Sequence, residues 1–126
     1  MKDNPVDVAC IGIGENGHIA FNDPGVADFN DPEYLKVVEL DEICRKQQVG
    51  EGWFPDIEHV PKKAVTLTIT AIMDCKTICC TVPDERKSEA VHRTLSGSIQ
   101  DACPASILRK HPDAVLFLDS FAARKI

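Results

Sequence analysis

VDVACIGIGENGHIAFNDPG, residues 6 to 25, joins an apolar run to a glycine turn that ends at Pro24 and Gly25. The run from Val6 to Gly14 is short, rich in β-branched residues and closed by glycine, as expected of a buried strand. Gly12, Gly14 and Gly17 then fall at the spacing of a dinucleotide-binding loop. Such a loop needs its third glycine to open a long helix whose N-terminus faces the pyrophosphate. Only His18 to Asp23 separate Gly17 from Pro24. That is room for about one and a half turns. Proline removes an interior helical hydrogen bond and turns the residue before it away from the helical region. Glu39 lies near the place of a ribose-binding acid, but without the helix the fingerprint fails. The stretch reads as a strand feeding a turn that displays His18.

Two further apolar runs read as strands covered on both faces: TICCTV (77–82), stopped by Pro83, and AVLFLD (114–119), entered through His111-Pro112. AVTLTIT (64–70) alternates apolar residues with threonine and is a fourth candidate, at an edge. Asp84 is placed to cap a helix over DERKSEAVHRTLSG, with Ala90, Val91 and Leu95 on one face and Gly97 at its end. Pro104 opens a short helix, PASILRKH, and AIMDC (71–75) forms a single turn. Residues 22–63 look mainly irregular, apart from a strand candidate LKVVEL (35–40) and a short helix DEICRKQQV. Strands alternating with helices predict an α/β three-layer sandwich, Rossmann-like, with a mostly parallel sheet over residues 1–126 as a single domain. In such sheets the site lies beyond the carboxyl ends of the strands, where the opening turn falls.

A chain of 126 residues with net charge -6 gives nucleic acid and anionic membranes no average attraction. No apolar run is long enough to span a bilayer. The N-terminus MKDNPVDV has neither a signal nor a transit pattern, which points to the cytoplasm. The six cysteines form no CxxC pair and no zinc-finger spacing with histidine, so no metal site is expected. Cys10, Cys79 and Cys80 lie inside strand runs and read as small buried hydrophobes in a reducing compartment.

The turn itself carries chemistry. Histidine moves protons near neutral pH, so His18 is a candidate acid or base, with Asp23 or Glu15 able to orient it. Asn16 and Asn22 can present amides to hydroxyls, and Gly14 and Gly17 shape the turn around a ligand. Arg86 and Lys87 fall in the first turn after a strand, where free backbone N–H groups favour an anion. A merely solvated helix face is the alternative for that pair.

GIGENGHIAFNDPG (12–25) closely resembles the signature of the glucosamine-6-phosphate deaminase (isomerase) family. The likeness continues through HVPKKAVTLTITAIMD, TICCTVPDERKSEAV and PASILRKHPDAVLFLD, nearly the whole chain. The resemblance implies an enzyme that opens the ring of an aminosugar phosphate, moves a proton between C2 and C1, and releases ammonia to leave a ketose phosphate. It implies no redox cofactor and no catalytic metal. His18 matches the histidine that assists ring opening. Asp23 stands where the family often has glutamate, and Asn16 where many members have aspartate, so the proton role at position 16 has shifted or been lost. Lys87 matches a lysine that contacts the substrate phosphate. Arg45 is aligned with the family's other phosphate-binding arginine, with Lys46 or Gln48 as alternatives for that place. The likeness maps onto the C-terminal half of the longer family members, leaving out an upstream phosphate loop and the upstream aspartate base. A homo-oligomer is left open, as is the choice between glucosamine and galactosamine.

Two other readings stand beside the deaminase. The related 6-phosphogluconolactonases share the fold and a similar glycine-histidine turn, but Ile19 to Asn22 favour the deaminase side. A non-catalytic sugar-phosphate-binding fragment is the other, motivated by Asn16 and the base expected upstream.

Overall fold

The computed structural model describes residues 1–126. Strands β1 (Val8–Ile11), β4 (Thr77–Val82) and β5 (Ala114–Leu118) form one sheet in the order β1-β4-β5. Both pairings are parallel, with Cys10 opposite Cys79 and Cys80 opposite Leu116. Helix α3 (Ser88–Ser96) and a 3-10 helix (Pro104–Lys110) connect β4 to β5. The predicted parallel sheet is therefore present, with β4 at its centre.

One face of the sheet carries the core. Ile78, Cys80 and Val82 point into it and pack with Ile13, Ala90 and Val91. The other face is open: Val8, Val115 and Phe117 are exposed, Cys10 is exposed and Cys79 half-buried. This corrects the expectation of strands covered on both faces and of buried Cys10 and Cys79. The runs are apolar on both sides, but this chain supplies a covering layer for only one. No helix is long and apolar enough to cross a membrane.

AVTLTIT is not a strand of this sheet. β3 (Lys63–Leu67) pairs antiparallel with β2 (Leu35–Glu39) in a separate two-stranded ribbon, with Val37 opposite Val65. The pattern breaks at Thr68, whose hydroxyl accepts from the Ala71 N–H at 3.2 Å and caps α2 (Ile69–Met73). That helix begins two residues before the turn expected at 71–75. Helix α1 (Glu42–Gly50) is capped by Asp41, which accepts from the Cys44 N–H at 2.6 Å. The helix predicted from Asp84 is split. Asp84, at φ 88°, caps a 3-10 turn (Glu85–Lys87), and α3 starts only at Ser88. Ala90 and Val91 are buried as expected, but Leu95 is exposed and Thr94 takes the inward place.

Candidate active site

Beyond the carboxyl ends of β1 and β4 the chain frames an open cavity of about 600 Å³. Its walls come from the glycine turn, the end of β4 through Lys87, the last turn of α1, and β3. Gly14, His18 and Lys87 line it; so do Gln48, Glu51 and Arg86.

No helix follows Gly17. Gly17 adopts φ 88°, and Ile19 and Asn22 form a bridge that folds the chain back. The Gly17 carbonyl accepts from the Ala105 N–H at 2.9 Å, which ties the turn to the 3-10 helix at 104–110. Asn22 fixes its other side, with Nδ2 donating to the Ile19 and Leu67 carbonyls at 2.9 and 2.8 Å. Its Nδ2 is thus spent on holding the turn to β3, while Oδ1 is buried without a hydrogen-bond partner. Gly14 lies under the imidazole: a Cβ there would fall 2.0 Å from a ring carbon of His18. Only glycine leaves the ring its place.

The tautomer of His18 follows from its neighbours. Asn16 Nδ2 lies 3.1 Å from Asp23 Oδ1 and 3.0 Å from Asp41 Oδ2. Ionised carboxylates only accept, so this atom is the amide nitrogen and Oδ1 is the other end. Asn16 Oδ1 accepts the His18 backbone N–H at 2.9 Å and sits 2.6 Å from His18 Nδ1. Nδ1 must therefore carry its proton, shared with Asp23 Oδ1 at 3.1 Å. When the ring carries a single proton, Nε2 is therefore its free nitrogen. Asn16 and Asp23 are both buried and neither lines the cavity. Their place is behind the imidazole, where they set its tautomer and orientation.

Asp23 is fully buried, and its other oxygen accepts the Asp41 N–H at 3.3 Å. Burial pushes its carboxyl up, but hydrogen bonds from His18 and Asn16, the charge of His18 and the Asp41 N–H outweigh that and hold it below its ordinary value. Asp41 thus joins the cap of α1 to the histidine turn, a role the sequence signalled only as a helix start. Gln47 and Glu51 were also missed, and Gln48 was named only as an alternative to Arg45. They are brought in because helical spacing puts them on the inner face of α1 and its cap.

At the opposite wall, Lys87 is buried and its ammonium pairs with Glu51 at 3.5 Å. Arg86 is gripped by Asp84, with Nη2 to Oδ2 at 2.9 Å, and lies 4.0 Å from Glu15. Arg45 does not line the cavity; its guanidinium donates to the Ile57 and Val60 carbonyls at 2.7 and 3.2 Å. It braces α1 against the following loop, and of the three alternatives for that place Gln48 alone reaches the cavity wall.

His18, Asp23 and Cys44 bring one ligand atom each within 4.8 Å of one another. The set suits a metal poorly. Burial, then the carboxylates of Asp23, Asp41 and Glu51, push the Cys44 thiol up to about 12, against the thiolate a metal requires. The His18 and Asp23 atoms are already engaged with each other.

A family model described as glucosamine-6-phosphate isomerases/6-phosphogluconolactonase matches residues 1–117. The chain belongs to this family. Among curated relatives, a glucosamine-6-phosphate deaminase of Lactobacillus acidophilus is 36% identical over 126 residues, all of this chain and 51% of that protein. One from Bacillus thuringiensis is 43% identical over 119 residues, 94% of this chain and 44% of that protein. The chain therefore spans about half the length of the curated relatives it matches. A solved structure of a monomeric glucosamine-6-phosphate deaminase superposes with TM-score 0.88 at 39% identity, covering 95% of this chain and 48% of that one. The 6-phosphogluconolactonase of Trypanosoma brucei shares the fold, with TM-score 0.72 at 22% identity, covering 99% of this chain and 45% of that one.

Proposed function

We propose that this family member supplies half of an aminosugar-phosphate deaminase/isomerase, which converts glucosamine 6-phosphate or an epimer, with water, to a ketose 6-phosphate and ammonia. The observation that carries this reading is the buried Asn16–Asp23 pair behind His18, which leaves Nε2 free on a cavity that also holds Lys87. His18 Nε2 takes a proton from the anomeric hydroxyl as the ring opens and returns it to the ring oxygen. Lys87 and Arg86 at the other wall hold the phosphate. Asp23 and Asn16 act as positioning residues. The base that moves the proton between C2 and C1 is assigned to the half of the family domain outside this chain.

The lactonase reading makes a different product from a different substrate. With the complementary half of the family domain supplied, ammonia release from glucosamine 6-phosphate is expected, and hydrolysis of 6-phosphogluconolactone is expected to stay at background. Lactone hydrolysis without ammonia release would reverse the assignment. Ligand binding without either reaction would favour the non-catalytic reading.

A further inference from the structure

Glu51 stands in an unfavourable place for its own helix. It is the C-cap residue of α1, whose last turn carries no basic residue, so its carboxylate meets the negative end of the helix dipole. It is nevertheless well held: Oε1 accepts from Gln47 Nε2 at 3.0 Å and Oε2 from Trp53 Nε1 at 3.3 Å. It lines the cavity beside Lys87 and is the only ion-pair partner of that ammonium, at 3.5 Å. Arg86, by contrast, is held by Asp84 from its own turn through two nitrogens, at 3.2 and 2.9 Å. The cation open to exchange is therefore Lys87, and the group to be exchanged is Glu51.

We propose that Glu51 occupies the anion place of the cavity and sets its affinity, so that a bound phosphate must displace this carboxylate from Lys87. This rests on reading the Lys87 wall as the phosphate end of the site. Two like charges competing for one partly desolvated ammonium repel each other, so the negative charge at position 51 weakens phosphate binding. Glutamine at that position keeps the length and one acceptor and removes the charge.

The test is calorimetric titration of the 126-residue chain with inorganic phosphate, comparing the native chain with Glu51→Gln, Glu51→Ala and Lys87→Ala. Both Glu51 variants are expected to bind phosphate about tenfold more tightly, with the gain shrinking at high salt. Lys87→Ala is expected to lose binding. Melts without phosphate verify that each variant is folded, and the alanine variant serves if the glutamine variant is not. Phosphate binding that needs Lys87 but is no tighter in a folded Glu51 variant overturns the proposal and leaves the phosphate end standing. Absence of phosphate binding in every chain overturns both.

Discussion

Replacing His18 with alanine is expected to lower ammonia release from glucosamine 6-phosphate by about 10²–10⁴-fold, the usual contribution of one positioned acid–base group. The complementary half of the domain is supplied in this assay. The loss should fall on kcat, because in the proposed reaction the phosphate is held at the Lys87 wall and the ring nitrogen acts only while the sugar ring opens. The geometry gives a reason for the size. Asn16 Nδ2 is fixed by two carboxylates, so Oδ1 is fixed on His18 Nδ1, and Nε2 is held ready for the proton. A loss seen only in KM would show that His18 contributes binding alone. An unchanged kcat would remove it from the chemistry.

Asp23→Asn is expected to destabilise the chain by about 1–3 kcal/mol at pH 7, the cost of disturbing a buried hydrogen-bond partner. The asparagine Oδ1 can still accept from Asn16 and His18, but its Nδ2 then meets the Asp41 N–H donor to donor. The pH dependence follows from the direction of the shift. The folded carboxyl is held below its ordinary 3.8, so the unfolded chain binds the proton first as the solution is acidified. The stabilisation is present above that value and is lost as pH falls through the lower folded one. Urea melts at pH 7 and at pH 3 should therefore show the gap between the native chain and Asp23→Asn narrowing in acid. A gap that stays constant or widens would mean that the carboxylate charge is not what stabilises the turn.

Much of this arrangement was legible in the sequence, and the exceptions have physical causes. The parallel strands could be read because their apolar runs are short and bounded by glycine or proline, as TICCTV is by Pro83 and AVLFLD by Pro112 before it. Failure of the dinucleotide fingerprint could be read from Pro24, and the turn indeed folds back through Ile19 and Asn22. The split at Asp84 was hidden: its positive φ, and the Asp119 Oδ2 at the end of β5 that accepts its N–H at 3.0 Å, are features of the assembled fold. Arg45 and Gln48 lie three residues apart on one helix, and alignment could not say which faced inward. The β2–β3 ribbon and the path of α1 decide it, and they are tertiary facts. Asn16 was read as a departure that weakens proton chemistry. In the fold its amide orients the histidine, a role visible only once Asp41 is brought beside it. The open sheet face was equally hidden, because an apolar run does not tell which of its two sides this chain covers.

The central claim is that this half of the domain holds a sugar-phosphate site between His18 and Lys87. The most direct measurement is a thermal melt of the 126-residue chain with and without millimolar glucosamine 6-phosphate. Ligand at a hundredfold excess over its dissociation constant stabilises the folded state by about 2.7 kcal/mol, enough to raise the midpoint by several degrees. A cooperative transition that moves upward with ligand is the predicted result. A transition that does not move, or no cooperative transition at all, would contradict the claim that these residues suffice to form the site.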